Sequence, residues 1–149
     1  MDRWNPFWPR MFVTATLFNF AIGVPILVAP QWTYDIAYTD AVDSVGGMTL
    51  RFWRDFGFAV VIIGIGYYLV SRRLATNTDL VWIGILAKLF DVVVLTYRFA
   101  IDVAEPIVLL PALIDGIFVI LFALFLVQAR ESRMPPPRSA STADRRITR

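Results

Sequence analysis

Four long stretches of this chain are apolar almost without interruption, and short polar segments separate them. They are residues 11–29 (MFVTATLFNFAIGVPILVA), 51–71 (RFWRDFGFAVVIIGIGYYLVS), 80–101 (LVWIGILAKLFDVVVLTYRFAI) and 106–129 (PIVLLPALIDGIFVILFALFLVQA). An α-helix needs about 20 residues to cross the hydrocarbon core of a bilayer, and each run is near that length. The runs lack strand-like alternation and are too few to close a barrel. The pattern predicts an all-α protein, an integral membrane four-helix bundle running up-down-up-down over residues 1–130. Pro106 suits a helix start, and Pro111, early in the same span, is expected to bend it. Pro25 lies near the end of the first span, where a kink is tolerated.

The connecting segments complete this picture. Residues 30–48, PQWTYDIAYTDAVDSVGGM, mix Asp35, Asp40 and Asp43 with Trp32, Tyr34 and Tyr38, a composition suited to the headgroup layer. A short interfacial helix or a folded loop is expected there. The spacing of the three Asp residues lacks the EF-hand pattern, so no metal site is expected. Residues 131–149, ESRMPPPRSASTADRRITR, have almost no apolar surface to offset ordering entropy and are expected to be a disordered basic tail. Arg3 and Arg10 precede the first span as in a signal sequence, but Pro30 directly follows the only cleavage-like site, at Ala29. The first span is therefore read as a retained anchor.

Charge then sets the expected orientation. With four spans, the N-terminus, the loop at 72–79 and the tail share one side, which carries ten arginines: Arg3, Arg10, Arg72, Arg73, Arg130, Arg133, Arg138, Arg145, Arg146 and Arg149. The other side carries three, Arg51, Arg54 and Arg98. The positive-inside rule makes the Arg-rich side cytoplasmic. Both termini are then cytoplasmic, in a multi-pass membrane protein.

Composition removes most familiar chemistry. The chain has 149 residues, 58% of them hydrophobic and 17% charged, with no Cys and no His. Its mean hydropathy is +0.63. Thiolate nucleophiles and iron–sulfur clusters are excluded, and so is the side chain best matched to proton transfer near neutral pH. No phosphate-binding glycine loop or nucleophile elbow is present. Neither a cofactor nor a nucleic-acid partner is implied.

What remains is the polar content of the spans. A charged group at a helix centre costs about 2.5–3.5 kcal/mol to insert, so it is rarely left facing lipid. In the third span Gly84, Lys88, Asp91, Leu95, Arg98 and Asp102 recur at helical spacing and form one stripe, expected to face the interior. Trp82, Leu89, Phe90 and Val93 are left facing outward. Phe12, Thr16, Asn19 and Gly23 share a face of the first span, and Arg54, Gly57, Val61, Gly64 and Tyr68 share one of the second, with Asp55 beside Arg54. Counting about 1.5 Å of rise per residue puts Asn19, Asp91 and Asp115 near the bilayer middle, with Lys88 one turn deeper. It puts Arg54, Asp55 and Arg98 close to one boundary. A central polar cluster and an outer polar cluster are expected, with Lys88 paired to Asp91 or Asp115. Three basic and three acidic residues balance, as mutual pairing would produce. A functional pocket or proton path is the alternative.

The segments WRDFG, IGIGYYLVSRR, LAKLFD and ALIDGIFVILFALFL resemble small four-span bacterial inner-membrane proteins, broadly those of the DoxX-like superfamily. That resemblance, over about residues 50–127, implies the fold and the location. Some DoxX proteins are associated with quinone-linked oxidation of sulfur compounds, but no residue here carries that activity over. Two functions stay open ahead of a third, a proton- or ion-coupled carrier, for which four spans are few without oligomerisation. One is a non-catalytic bundle that binds a hydrophobic or amphipathic molecule, or serves a membrane complex or a homo-oligomer as a subunit. The other is an oxidoreductase subunit acting on a quinone or lipid, with Lys88, Asp91 and Asp115 handling protons.

Overall fold

In the computed structural model the described residues are 5–39 and 47–133. Five α-helices occur among them: α1 (Phe7–Val28), α2 (Pro30–Ala37), α3 (Gly47–Arg72), α4 (Thr78–Ala100) and α5 (Leu109–Arg133), the last preceded by a 3-10 turn at Pro106–Val108. α1, α3, α4 and the segment Pro106–Glu131 are long and apolar enough to cross a membrane. The fold is an all-α four-helix membrane bundle. The first three spans begin before the expected 11, 51 and 80, because their helices run on past their apolar cores, while the fourth begins at Pro106 as expected. α1 begins four residues early, where Asn5 Oδ1 accepts the Phe7 N–H at 3.0 Å. α4 stops at Ala100, and α5 continues past 129. Pro111 falls in the first turn of α5, where its missing N–H removes no helical bond. Asp40, Asp43 and the tail from residue 134 lie outside the described residues.

Packing divides the molecule into two helix pairs. α1 lies closest to α3, and α4 to α5. Without a hydrophobic force between helices in lipid, close approach depends on small residues and shape. Gly23 and Gly57 supply it: a Cβ on Gly57 would come 2.6 Å from Ile26 Cγ2, and one on Gly23 would come 2.8 Å from the Gly57 carbonyl oxygen. Aromatic rings instead join α1 to α5. Phe12 stacks on Phe122 and meets Phe125 edge-on, both at 5.1 Å between centroids, and Trp8 donates its indole N–H to Gln128 Oε1 at 2.6 Å. Such pairs contribute about 0.5–1.5 kcal/mol each beyond the area they bury. The rings, with Tyr67, Val70, Leu74 and Val81, fill the half of the bundle nearest the 73–77 turn.

The other half is hollow and carries α2 at its end. Tyr34, Tyr38, Ala104 and Val108 form a small core there, against Trp53 of α3. Trp53 Nε1–H donates to Thr33 Oγ1 at 2.9 Å, which seats α2 on α3. Two backbone bonds, Thr39 N–H to Val103 O at 3.2 Å and Glu105 N–H to Ala37 O at 3.0 Å, tie the α2 end to the α4–α5 connection. Asp102 makes this turn possible. It sits at φ 56°, a left-handed conformation that Asp tolerates better than most residues.

Candidate functional site

The polar layer lies where the filled half meets the hollow half. Lys88 Nζ forms an ion pair with Asp115 Oδ1 and donates to Asn19 Oδ1 at 3.3 Å. Asn19 Nδ2 in turn donates to the Val60 carbonyl of α3 at 3.0 Å. Lys88, Asp115 and Asn19 are only 3%, 5% and 6% exposed, so their charges and dipole interact directly in a buried layer. Phe118, Phe18 and Tyr67 present ring faces to the ammonium at 5.0, 5.2 and 5.5 Å. The Lys88 stem passes Gly84, whose missing side chain is what admits Tyr67: a Cβ there would lie 2.5 Å from Tyr67 Cε1. Four helices thus converge on one ammonium.

Asp91 stands apart from this arrangement. It shares the α4 face with Lys88, yet no hydrogen bond or ion pair joins it to any described residue. Its carboxyl instead borders two cavities. One, of about 390 Å³, lies between α1, α5 and the underside of α2, with Asn19, Asp91 and Asp115 at its floor. The other, of about 480 Å³, lies between α3 and α4. Trp53, Phe56, Asp91 and Leu95 line both and form the wall between them. The first cavity reaches the lipid-facing surface between α1 and α5, because its rim includes Trp32, Ile107 and Leu110, each more than half exposed.

The outer cluster of Arg54, Asp55 and Arg98 does not assemble. Arg54 and Asp55 are exposed on α3, and the single ion pair among the described residues is Lys88 with Asp115. On α3 the expected stripe holds at Gly57 and Gly64, and Val61 packs on Gly23, but Arg54 and Tyr68 do not join it. Gly57, Val60, Gly64 and Tyr67 are its buried members, and Tyr68 faces outward. Both registers fit the glycines. The approach of Asn19 to Gly64 and of Tyr67 to Gly84 selects the observed one. On α4 the stripe is interior only as far as Leu95; Arg98 is exposed and Asp102 has left the helix. The balance of six charges therefore does not reflect mutual pairing.

Arg98 has a different partner. Its guanidinium donates to Tyr38 Oη and lies 5.3 Å from the centre of that ring. Burial pushes the Tyr38 phenol above its ordinary pKa, outweighing the opposite pull of Arg98, so the pair keeps a net positive charge. The signal in the sequence was the aromatic run at 32–38, which must cap the bundle where Arg98 ends its span. Among the described residues no three His, Cys, Asp or Glu side chains are placed to hold a metal ion together.

Fold and polar layer together define a small integral membrane protein, a four-span helical bundle with a charged centre. Compared with protein-family models, curated proteins and solved structures, the chain matches none.

Proposed function

We propose that this protein binds a hydrophobic or amphipathic molecule within the bilayer, in the cavity between α1, α5 and α2. The observation that carries the reading is the 390 Å³ cavity itself, mainly apolar on its walls, with Asn19, Asp91 and Asp115 at its floor and Thr33 on the underside of α2. Ligand sites are commonly about 300–1,000 Å³, mainly apolar, with a few convergent polar groups. Lys88 is already engaged by Asp115 and Asn19, so the floor group left for a ligand is Asp91. A carboxylate without a protein partner favours a ligand that brings a donor, such as a hydroxyl or an amine, at the end of an apolar body. The rim between α1 and α5 lets that body arrive from the lipid. In the same reading the protein resides in a bacterial inner membrane with both termini cytoplasmic, as the distribution of arginines supports. The resemblance to DoxX-like bundles agrees with that fold and location.

The test is co-purification. Protein extracted gently from its native membrane is washed, and its retained small molecules are identified by mass spectrometry. Ile22→Trp fills the cavity from α1 without touching the ion pair. A specific molecule should be retained by the natural protein and depleted at least tenfold in Ile22→Trp, with cooperative melting preserved in both. Equal retention by the two proteins would overturn the proposal.

A further inference from the structure

The second cavity has a chemistry of its own. α3 and α4 touch less than the other sequential pairs of long helices, and the gap between them is an apolar cleft of about 480 Å³. Phe52, Phe56, Phe90 and Val94 line it. Phe52 and Phe90 are 67% and 64% exposed, so the cleft opens along its length onto the lipid-facing surface. Arg98 lines the end nearest the membrane boundary, held over the Tyr38 ring. It makes no ion pair with any described residue, and its partner Tyr38 is a phenol, uncharged near neutral pH, which burial moves further from ionising. Asp91 lies seven residues deeper on the same helix, about 10 Å at 1.5 Å per residue.

A positive charge fixed by one hydrogen bond and one ring, at the interface end of a slot that faces lipid, is complementary to an anion carrying a hydrocarbon chain. We infer that the cleft between α3 and α4 binds an anionic phospholipid, with an acyl chain between Phe52 and Phe90 and the phosphate on Arg98. A soluble anion would leave the aromatic slot unused. A zwitterionic lipid would bring its own cation to a place already positive. The planar guanidinium, which can address two phosphate oxygens at once, suits the headgroup better than a Lys would. This site is separate from the cavity proposed above and stands whether or not that cavity holds a ligand.

Native mass spectrometry of the full chain, released from nanodiscs of equimolar phosphatidylglycerol and phosphatidylcholine, reads the occupancy directly. The natural protein should retain phosphatidylglycerol over phosphatidylcholine by about fivefold or more, the factor expected of one basic residue at an anionic headgroup. Arg98→Gln should bring that ratio near unity. Arg54→Gln, which removes an exposed charge from the same end but not from the cleft, should leave it unchanged. Val94→Trp should lower retention of both lipids by filling the slot. No preference in the natural protein would overturn the proposal. So would a preference that survives Arg98→Gln, or one lost equally in Arg54→Gln, which would indicate diffuse surface charge. Should Arg98→Gln not fold, an undiminished amount of retained phosphatidylglycerol in Val94→Trp would overturn it alone.

Discussion

Lys88→Met removes the ammonium while keeping most of the stem's volume, so the loss it measures is electrostatic. Lys88 is 97% buried by its 3% exposure, and its one ion-pair partner, Asp115, is 5% exposed. Breaking such a pair from one side typically costs about 3–5 kcal/mol, because the other charge is left without compensation. The ring faces of Phe118, Phe18 and Tyr67 add to the loss, since each was oriented to a cation. For a chain of this size one kcal/mol moves the melting temperature by about 2–4 °C, so the variant should melt roughly 10 °C lower or more. Melting of purified protein in one detergent, at one scan rate, measures this. The decisive variants are the doubles. Lys88→Met with Asp115→Asn should recover a substantial part of the loss, because neither charge remains unpaired. Lys88→Met with Asp91→Asn should recover little, because Asp91 makes no ion pair with Lys88. Losses that simply add in the first double, within about 0.5 kcal/mol, would refute the pairing. Equal recovery in both doubles would refute the distinction between the two carboxyls.

Two further outcomes follow from the packing and the charge distribution. Gly84→Ala would put a methyl 2.5 Å from Tyr67 Cε1 and 3.2 Å from Phe122 Cε2, and overpacking of this kind costs about 1–3 kcal/mol. Gly66→Ala, on α3 with nothing within 4 Å, should melt unchanged, and an equal drop in both would show that the Gly84 contact is not what matters. In this Cys-free chain, single cysteines at Asn77 and Thr39 can be labelled with an impermeant reagent in intact cells. Labelling at Thr39 and not at Asn77 is expected from the ten-to-three arginine bias, and the reverse would invert the topology.

The spans were legible because a bilayer imposes a length, and little else in this chain is apolar for 20 residues together. Depth was legible for the same reason. A fixed rise per residue brings Asn19 and Asp115 to the level of Asp91 and within one turn of Lys88, the residue that in fact meets them. The face Phe12, Thr16, Asn19 and Gly23 is buried as its spacing implies, and Trp82, Leu89, Phe90 and Val93 do face outward. What failed were decisions that rotation alone settles. Tyr67 and Tyr68 differ by 100° on an ideal helix, and only their neighbours on α1 and α4 choose between them. Arg54 and Asp55 can reach the boundary from an exposed face, so burial was never forced on them. Asp102 followed the α4 pattern in sequence but belongs to the turn that meets Tyr38. That contact joins residues far apart in the chain, and no local pattern announces it.

The uneven filling of the bundle also has a mechanical consequence. One end is held by stacked and edge-on rings between α1 and α5, with the Trp8–Gln128 bond beyond them. The opposite end joins the two helix pairs chiefly through the backbone bonds at Thr39 and Glu105 and the contacts of α2. A body fastened firmly at one end and lightly at the other opens like a clothes-peg, with the ring stack as its spring. Regions with few packed contacts open at lower free energy than dense ones. Because Trp53, Phe56, Asp91 and Leu95 wall both cavities, any spreading at the light end alters both at once. A molecule that widened one would therefore change the room available in the other.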